Sequence, residues 1–410
     1  MPLLVRHLPL LSFIEKSLIS ITMKSSTRTT GISRLASYSN AIFLASAVLR
    51  ASIVSAIGLP QPTGPYHVGV IKRTIDHFNP HDPLAPNNIS TAFLATIFYP
   101  TLQKPEGEPE PYLNPETAAF YEETWNYTTG TLASITSTVQ KDAPFLEGLV
   151  GKSHYPTILF GPGGGGPPVE GNTILLSELA SYGYAVIGLD HPFEQPFLRY
   201  PNGTGVVGVD IDYNSGEQIT AIYETRLVDN NVFLNRLPDF IHELKAPFNI
   251  THIGALGYSL GGAASIGSMY DHDRIVSSLN LDGSFFGLPN STASDVYRPV
   301  LLLASEGHSG EGEHADPSWA AFLSWQTGYL RELSITGTTH HDFCDDTFWK
   351  TIEDTDPSTG PINGDRQVEI LNTYVKAFFD LTLLGHKSSV LDVPSPEWPE
   401  IVFHNISRYT

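Results

Sequence analysis

The chain has 410 residues, of which 41% are hydrophobic and 11% aromatic, so it can bury a large core as one α/β domain with insertions or as two smaller domains. Its 43 acidic and 23 basic residues give a formal net charge of −20, which argues against nucleic acid as a partner. A disulfide within the chain is excluded, because Cys344 is the sole cysteine.

The first 56 residues are predicted to be an N-terminal extension that includes a secretory signal. Residues 41–56 are small and apolar, and they end in a small-x-small triplet from Val54 to Ala56, which is typical of a cleavage site. Arg50 interrupts this segment and leaves it short of the ~20 apolar residues of a membrane span. We therefore expect a secreted glycoprotein. Its candidate glycosylation sequons begin at Asn88, Asn126, Asn202, Asn249, Asn290 and Asn405.

Residues 57–410 are predicted to form a single domain in which strands alternate with helices. Eight strands are predicted, at 66–74, 91–99, 157–160, 185–190, 250–256, 275–281, 300–304 and 333–338. The run from Val300 to Leu303 is unbroken and apolar, as expected for a strand covered on both faces. Long helices are predicted at 216–244 and 365–384. This order predicts an α/β-hydrolase fold, with a mostly parallel eight-stranded sheet covered by helices on both faces.

Residues 102–154 fit none of these elements and are predicted to be an insertion. The segment is rich in Pro, Glu and Tyr, and its aromatic residues are Tyr112, Phe120, Tyr121, Trp125 and Tyr127. We expect these rings to pack as ordinary core, since most aromatic side chains are buried. A lid or an interfacial patch is the alternative.

A G-x-S-x-G sequence, from Gly257 to Gly261, lies between an apolar strand and a helix of small residues. In this context it predicts a nucleophile elbow, in which Ser259 stands on a sharp turn and the two glycines avoid clashes with the neighbouring strand and helix. Ser259 is therefore the predicted catalytic nucleophile.

A serine nucleophile needs a histidine to take its proton and a carboxylate to orient that histidine. Two histidines follow the last predicted strand; His340 is the predicted base and His341 the alternative. Two loops offer the acid. Asp282 ends the sixth strand, and the loop after the seventh strand carries Glu306, Glu311, Glu313 and Asp316.

The loop after the seventh strand also contains His308 and His314. Metal binding by this loop is disfavoured because its candidate ligands have no fixed spacing, and we expect a solvated loop. Neither a metal nor another cofactor is predicted.

The Gly-rich segment Gly161 to Gly166 follows the third strand and is predicted to bind an oxyanion. Leu260, the residue after the nucleophile, supplies one backbone N–H, and Gly164 supplies the other, with Gly165 as second choice. The segment also matches G-x-G-x-x-G, with Asp190 ending the next strand, as in dinucleotide-binding proteins. That alternative is disfavoured, since two prolines follow at once and would interfere with the required helix.

These residues resemble the plasma-type platelet-activating factor acetylhydrolase family and its fungal and bacterial relatives among the serine esterases. The resemblance covers roughly residues 66–384, and it rests on Phe160 to Gly166, Gly257 to Gly262, Leu281 to Gly283 and His340 to Asp345. In that family the acid follows the sixth strand, so the resemblance favours Asp282 over Glu306.

The resemblance implies a serine hydrolase that cleaves carboxylic esters through an acyl-enzyme. It further implies short-acyl phospholipids or other lipid esters as substrates, and transient contact with a lipid surface. A broad carboxylesterase, lipase or polyester hydrolase is the nearest alternative. A non-catalytic binding module of hydrolase fold is a further alternative, against which the complete Ser, Asp and His set argues.

Overall fold

The computed structural model describes residues 57–146, 154–291, 295–310 and 315–406. The extension predicted over residues 1–56, including its signal segment, lies outside the described residues. The strands are β1 (His67–Asn79), β2 (Ser90–Thr101), β3 (Glu110–Pro111), β4 (Thr136–Ser137), β5 (Gln140–Lys141), β6 (Tyr155–Gly161), β7 (Ala185–Asp190), β8 (Phe197–Arg199), β9 (Gly205–Val207), β10 (Phe248–Tyr258), β11 (Ile275–Leu281), β12 (Val300–Ser305), β13 (Leu330–Ile335) and β14 (Ile401–Ile406). The α-helices are α1 (Pro115–Thr124), α2 (Thr173–Ser181), α3 (Gly216–Leu244), α4 (Leu260–Asp271), α5 (Pro317–Leu323), α6 (Asp346–Ile352) and α7 (Gly364–Leu384).

One large sheet runs through the described part of the chain, in the order β14-β13-β12-β11-β10-β6-β7-β2-β1-β5. The six strands from β13 to β7 pair in parallel, whereas β14 joins β13 and β2 joins β7 and β1 in antiparallel fashion. The predicted fold class, a mostly parallel sheet of α/β-hydrolase type, is confirmed.

Helices cover both faces of this sheet, and the strand β12 shows why an unbroken apolar run is needed. Leu302 lies in a buried cluster with residues of α3 and α4. Leu301 and Leu303 point the other way and lie in a second cluster with residues of α2 and α7. Since successive side chains of a strand alternate between its faces, a central strand covered on both sides must be apolar at every position.

Helix α3 has the bounds that the sequence predicts, and it carries a side chain that reaches the active site. The Ser215 hydroxyl accepts a hydrogen bond of 3.2 Å from the Gln218 N–H and caps the start of the helix, and Lys245 follows its last residue in left-handed backbone. Its buried face, with Ile222 and Phe233, packs into the core shared with α4. This packing holds Arg226, also on the buried face, against the loop after β6.

The sheet differs from the prediction at its edges. It contains β5 and β14, which were not predicted, and β13 begins at Leu330 rather than at residue 333. Arg331 and Glu332 argue against a buried strand in the sequence, but both are buried. Arg331 donates to the Leu391 carbonyl and pairs with Asp392, and Glu332 accepts from the Gly310 N–H, so both charged groups have polar partners from distant parts of the chain.

The described part of the predicted insertion, residues 102–146, packs partly against α6. Tyr112, Tyr121 and Tyr127 lie in a buried cluster that also contains Phe348 and Trp349 of α6. Trp125 is half-buried, and Phe120 is exposed. The short strand β5 at the end of this segment joins the large sheet beside β1. In the described residues, no helix combines the length and the apolar character that crossing a bilayer requires.

Candidate active site

Ser259 stands on a sharp turn between β10 and α4. Its backbone has φ 55° and ψ −124°, a conformation that L-residues rarely adopt. The flanking glycines explain how the turn closes. A Cβ on Gly257 would lie 2.1 Å from the Gly261 carbonyl group, and one on Gly261 would lie 2.0 Å from the Gly161 carbonyl oxygen. A side chain at either position would therefore push the elbow away from the neighbouring strand or helix.

His340 lies between Ser259 and Asp282. Its Nε2 is 2.9 Å from Ser259 Oγ, and its Nδ1 is 2.7 Å from Asp282 Oδ2. The nucleophile, base and acid candidates thus form one continuous hydrogen-bonded chain. A neutral imidazole with its proton on Nδ1 donates to the carboxylate and presents the Nε2 lone pair to the serine hydroxyl, which is the arrangement that proton abstraction requires.

The loop that carries His340 is held by a buried carboxylate. Asp342 accepts a hydrogen bond of 2.8 Å from the Thr339 N–H, one of 2.6 Å from the Gly360 N–H and one of 2.5 Å from Lys350 Nζ. Residues His340–Phe343 form a short 3-10 turn whose start is capped by Thr339. These contacts fix the backbone on both sides of the imidazole.

His341, the alternative base, points away from the serine. Its Nδ1 lies 3.2 Å from Asp346 Oδ2, and its ring meets the edge of the Trp125 ring. Together with Asp356, these two residues form the one group in the described ranges whose ligand atoms, within 4.8 Å of one another, have metal-binding geometry. Within this group, His341 and Asp346 form an ion pair.

Asp282 is buried and well supplied with donors. Its Oδ1 accepts a hydrogen bond of 2.6 Å from the Ser305 N–H, and its Oδ2 accepts one of 3.0 Å from the Ser305 hydroxyl. Burial raises the pKa of this carboxyl group, but His308, His340 and Ser305 outweigh burial, and the net pKa lies below the ordinary value. The group is therefore ionised at neutral pH.

The turn that carries Asp282 lies directly against the elbow. Asp282 itself has φ 58°, which an aspartate tolerates better than most side chains do. A Cβ on Gly283 would lie 2.0 Å from the Ser259 carbonyl oxygen. The Asn280 amide group closes the turn, since it donates to the Gly283 carbonyl at 2.7 Å and accepts from the Gly283 N–H at 2.8 Å.

The competing acids after β12 have other partners. Glu306 accepts a hydrogen bond of 2.6 Å from the Gly337 N–H, and Asp316 faces His308. Glu311, Glu313 and His314 lie outside the described residues. The expectation of a solvated loop is wrong for His308, because its side chain is 16% exposed and its Nδ1 lies 3.2 Å from Asp282 Oδ1.

The predicted oxyanion loop lies beside the elbow. A Cβ on Gly164 would lie 3.2 Å from Cδ2 and 3.4 Å from Cβ of Leu260, so the two predicted donors are neighbours. Gly165, the second choice, has φ +72°. The Gly164 carbonyl accepts a hydrogen bond of 3.0 Å from the Tyr213 hydroxyl.

Arg226 holds the predicted oxyanion loop through backbone carbonyl groups. Its guanidinium donates to the carbonyl oxygens of Pro162 at 2.5 Å and Gly163 at 3.1 Å, and it forms a buried ion pair with Glu194. In a trans peptide the carbonyl oxygen and the N–H point in opposite directions. Because the Gly163 carbonyl is turned toward Arg226, the N–H of Gly164 is turned away from it.

The reacting groups are accessible. The His340 side chain is 44% exposed and Ser259 is half-buried, whereas Asp282 is almost fully enclosed. A substrate can therefore reach the Ser259 hydroxyl from solvent. The Asp282 carboxylate is shielded from water, so its electrostatic effect on His340 is only weakly screened.

Sequence reasoning did not assign Arg226, His308 or Asn280 to the site. Arg226 had a readable signal, because it falls on the apolar face of α3 in helical spacing with Ile222 and Phe233, where a charged residue requires a partner. His308 contacts residues that are distant in the chain, and Asn280 closes a tight turn. Neither residue belongs to a sequence pattern that would identify its role.

Comparison with known proteins found a family model, a relative and a solved structure to which this chain is similar. Residues 217–382 match the family model described as platelet-activating factor acetylhydrolase, isoform II. A relative from Arthroderma benhamiae, named probable 1-alkyl-2-acetylglycerophosphocholine esterase, is 25% identical over 387 residues, which cover 87% of this chain and 96% of the relative. A solved ferulic acid esterase from Streptomyces cinnamoneus superimposes with a TM-score of 0.71 and 25% identity, covering 86% of this chain and all of that one.

The fold and these relatives define the chain as a carboxylic ester hydrolase. The resemblance to the platelet-activating factor acetylhydrolases is confirmed by the family model that residues 217–382 match and by the name of the relative from Arthroderma benhamiae.

Proposed function

We propose that the protein hydrolyses short-acyl phospholipids or related lipid esters with Ser259 as nucleophile, His340 as base and Asp282 as the acid that orients the base. The observation that carries the proposal is the unbroken chain from Ser259 Oγ through His340 to Asp282, with distances of 2.9 Å and 2.7 Å. Each group in this chain has the hydrogen-bond partner that acyl transfer needs.

In the proposed reaction, Ser259 Oγ attacks the ester carbonyl while His340 Nε2 takes the hydroxyl proton. The N–H groups of Leu260 and Gly164 donate to the developing oxyanion. His340 then returns the proton to the leaving alcohol, which leaves an acyl group on Ser259. Water, activated by the same histidine, attacks the acyl-enzyme and releases the acid.

The substrate class is proposed from two supports. The Arthroderma benhamiae relative carries the name of an esterase for 1-alkyl-2-acetylglycerophosphocholine, and residues 217–382 match the acetylhydrolase family model. Both point to a lipid ester with a short acyl chain rather than to a long-chain triglyceride.

The test is hydrolysis of p-nitrophenyl esters from acetate to palmitate and of 1-alkyl-2-acetylglycerophosphocholine by the wild type and by Ser259→Ala. We expect Ser259-dependent turnover confined to the short chains, with a loss of roughly 10⁴-fold or more in the variant. Ser324→Ala, at an exposed serine after α5, is the matched control and is expected to keep full activity. Activity that rises with chain length would indicate a lipase, and Ser259→Ala with wild-type activity would overturn the proposed mechanism.

Labelling with a fluorophosphonate separates an enzyme from a binding module. This probe needs an activated serine, so we expect rapid labelling of the wild type and of Ser324→Ala, and none of Ser259→Ala or His340→Ala. A folded wild type that neither labels nor hydrolyses any ester would indicate a non-catalytic protein of hydrolase fold.

We also propose that the protein is secreted, on the basis of the apolar segment at 41–56 and the small-residue triplet that ends it. The test is N-terminal sequencing of protein collected from the culture medium of a eukaryotic host. A start at Ile57 is expected, and retention of the full chain in the cell would contradict secretion.

A further inference from the structure

We propose that His308 is a positioning residue of the active site, a positively charged second histidine that holds the Asp282 carboxylate from the side opposite His340. This inference rests on the proposed function, because it takes Asp282 as the group that orients the base. No family motif noted above contains His308.

His340 and His308 contact different oxygens of the Asp282 carboxylate. His340 Nδ1 lies 2.7 Å from Oδ2, whereas His308 Nδ1 lies 3.2 Å from Oδ1. Ser305 adds one donor to each oxygen, its hydroxyl to Oδ2 and its N–H to Oδ1. The carboxylate thus has two polar contacts at each oxygen, one of them from a histidine.

The position of the second nitrogen of His308 favours a charged ring. Nε2 lies 3.4 Å from Asp316 Oδ2, so both ring nitrogens face carboxylate oxygens. A neutral imidazole has a proton on one nitrogen only, and the other lone pair would then face an anion. An imidazolium presents an N–H to each carboxylate and removes this repulsion. The ring of Trp319 packs against the His308 ring at 4.6 Å between centroids.

The titration of these groups agrees with the geometry. Burial lowers the pKa of His308, but the carboxylates of Asp282, Asp316 and Glu332 outweigh burial and raise it. Burial also raises the pKa of Asp316, but His308, Ser284 and Ser318 outweigh it and lower that pKa to about 2. The raised pKa favours the imidazolium form of His308 between the two carboxylates.

A positive charge at His308 has a consequence for the pH dependence of the reaction. The charged groups that face His308 are Asp282, Asp316 and Glu332, and His340 lies on the far side of Asp282. The His308 imidazolium partly offsets the negative charge of Asp282. It therefore makes protonation of the group formed by Ser259, His340 and Asp282 less favourable. Activity is lost in acid through that uptake, and His308 therefore extends activity toward lower pH.

The test is the pH profile of kcat/KM for p-nitrophenyl acetate, with the rate of fluorophosphonate labelling as a second readout. His308→Asn is the first variant, because an asparagine amide can still donate to Asp282 but carries no charge. We expect the midpoint of the acid limb to move up by about one pH unit, with KM nearly unchanged. Asp316→Asn leaves His308 in place but removes one of the three carboxylates that favour its charged form, and it should shift the limb in the same direction.

His252→Asn removes an exposed histidine at the start of the elbow strand and serves as the matched control, with an unshifted limb. If His308→Asn does not fold, Asp316→Asn decides the question, since asparagine also caps α5. An unshifted limb in the folded variants, or a loss of activity that is equal at every pH, would overturn the charged role of His308. A wild type without Ser259-dependent hydrolysis would instead overturn the proposed function, so the two failures are distinguishable.

Discussion

Arg226 donates a hydrogen bond of 3.1 Å to the carbonyl oxygen of Gly163, on the peptide whose N–H belongs to Gly164. Because this peptide is planar and trans, the hydrogen bond on one side sets the direction of the N–H on the other side. The guanidinium also holds the Pro162 carbonyl, and its charge is balanced by the buried carboxylate of Glu194. Arg226 therefore orients the predicted oxyanion donor through the backbone of its loop.

Removing Arg226 should weaken catalysis more than binding. We expect the double variant Arg226→Met with Glu194→Met, which removes the ion pair without leaving a buried charge, to lose roughly 100-fold in kcat with a small change in KM. Affinity for a trifluoromethyl ketone, which forms a tetrahedral adduct, should fall in parallel. The measurement is steady-state kinetics beside inhibitor titration.

Arg331→Met is the matched control for the Arg226 variant. Arg331 is also buried and also donates to a backbone carbonyl, that of Leu391, but it lies in β13 and not at the oxyanion loop. We expect this control to lower the melting temperature and to keep the kcat of the folded fraction. An equal loss of kcat in both variants would mean that Arg226 acts through general stability.

Gly261→Ala tests the packing of the elbow. The new Cβ would lie 2.0 Å from the Gly161 carbonyl oxygen, a distance that forces the strand and helix apart. We expect the variant to lose activity by at least about 100-fold and several degrees of melting temperature, because backbone cannot move away as a flexible side chain can. Gly216→Ala, at the first residue of α3 with open space around it, should match the wild type in both measurements.

The two adjacent histidines should respond differently to substitution. His340→Gln removes the group between Ser259 and Asp282, and we expect a loss of at least about 10³-fold in kcat. His341→Gln breaks an ion pair with Asp346, and its effect should appear mainly in the melting temperature. Kinetics and thermal melts of both variants decide between the predicted base and its alternative. Comparable losses of kcat would contradict the assignment.

Much of the fold could be predicted because its strongest signals are local. The bounds of α3 follow from apolar periodicity and a serine cap, and β12 follows from an unbroken apolar run, all of which act within a few residues. The start of β13 was missed because the partners of Arg331 and Glu332 come from residues about 60 and 20 positions away. A buried charge can be recognised in a sequence only when its partner is known.

Some residues of the candidate site could likewise be predicted from local sequence, and others could not. Ser259 and Leu260 belong to one local motif, and His340 follows a strand at a recognisable place. The residues alone left Asp282 and Glu306 open as the acid, and the family resemblance was needed to choose between them. In the structure, the Asp282 carboxylate contacts His340, whereas the Glu306 carboxylate accepts a hydrogen bond from the Gly337 N–H. This difference depends on how two parallel strands end side by side.

Asp190, at the end of β7, should make the stability of the protein depend on pH. Burial raises its pKa to about 7, although its Oδ1 accepts a hydrogen bond of 2.8 Å from the Val169 N–H. The carboxyl group titrates near 4 in the unfolded chain. Since its pKa is higher in the folded state, its contribution to stability is fully present below about pH 4 and is lost as pH rises through about 7.

Asp190→Asn is a neutral mimic of the protonated group whose amide oxygen can still accept from Val169. We expect its melting temperature to be close to that of the wild type at pH 4 to 5 and several degrees higher at pH 8, because the wild type must then bury a charge. Asp239→Asn, at an exposed position of α3, should differ from the wild type by the same small amount at every pH. A difference between Asp190→Asn and wild type that does not grow from pH 5 to pH 8 would show that Asp190 is not a buried titrating group.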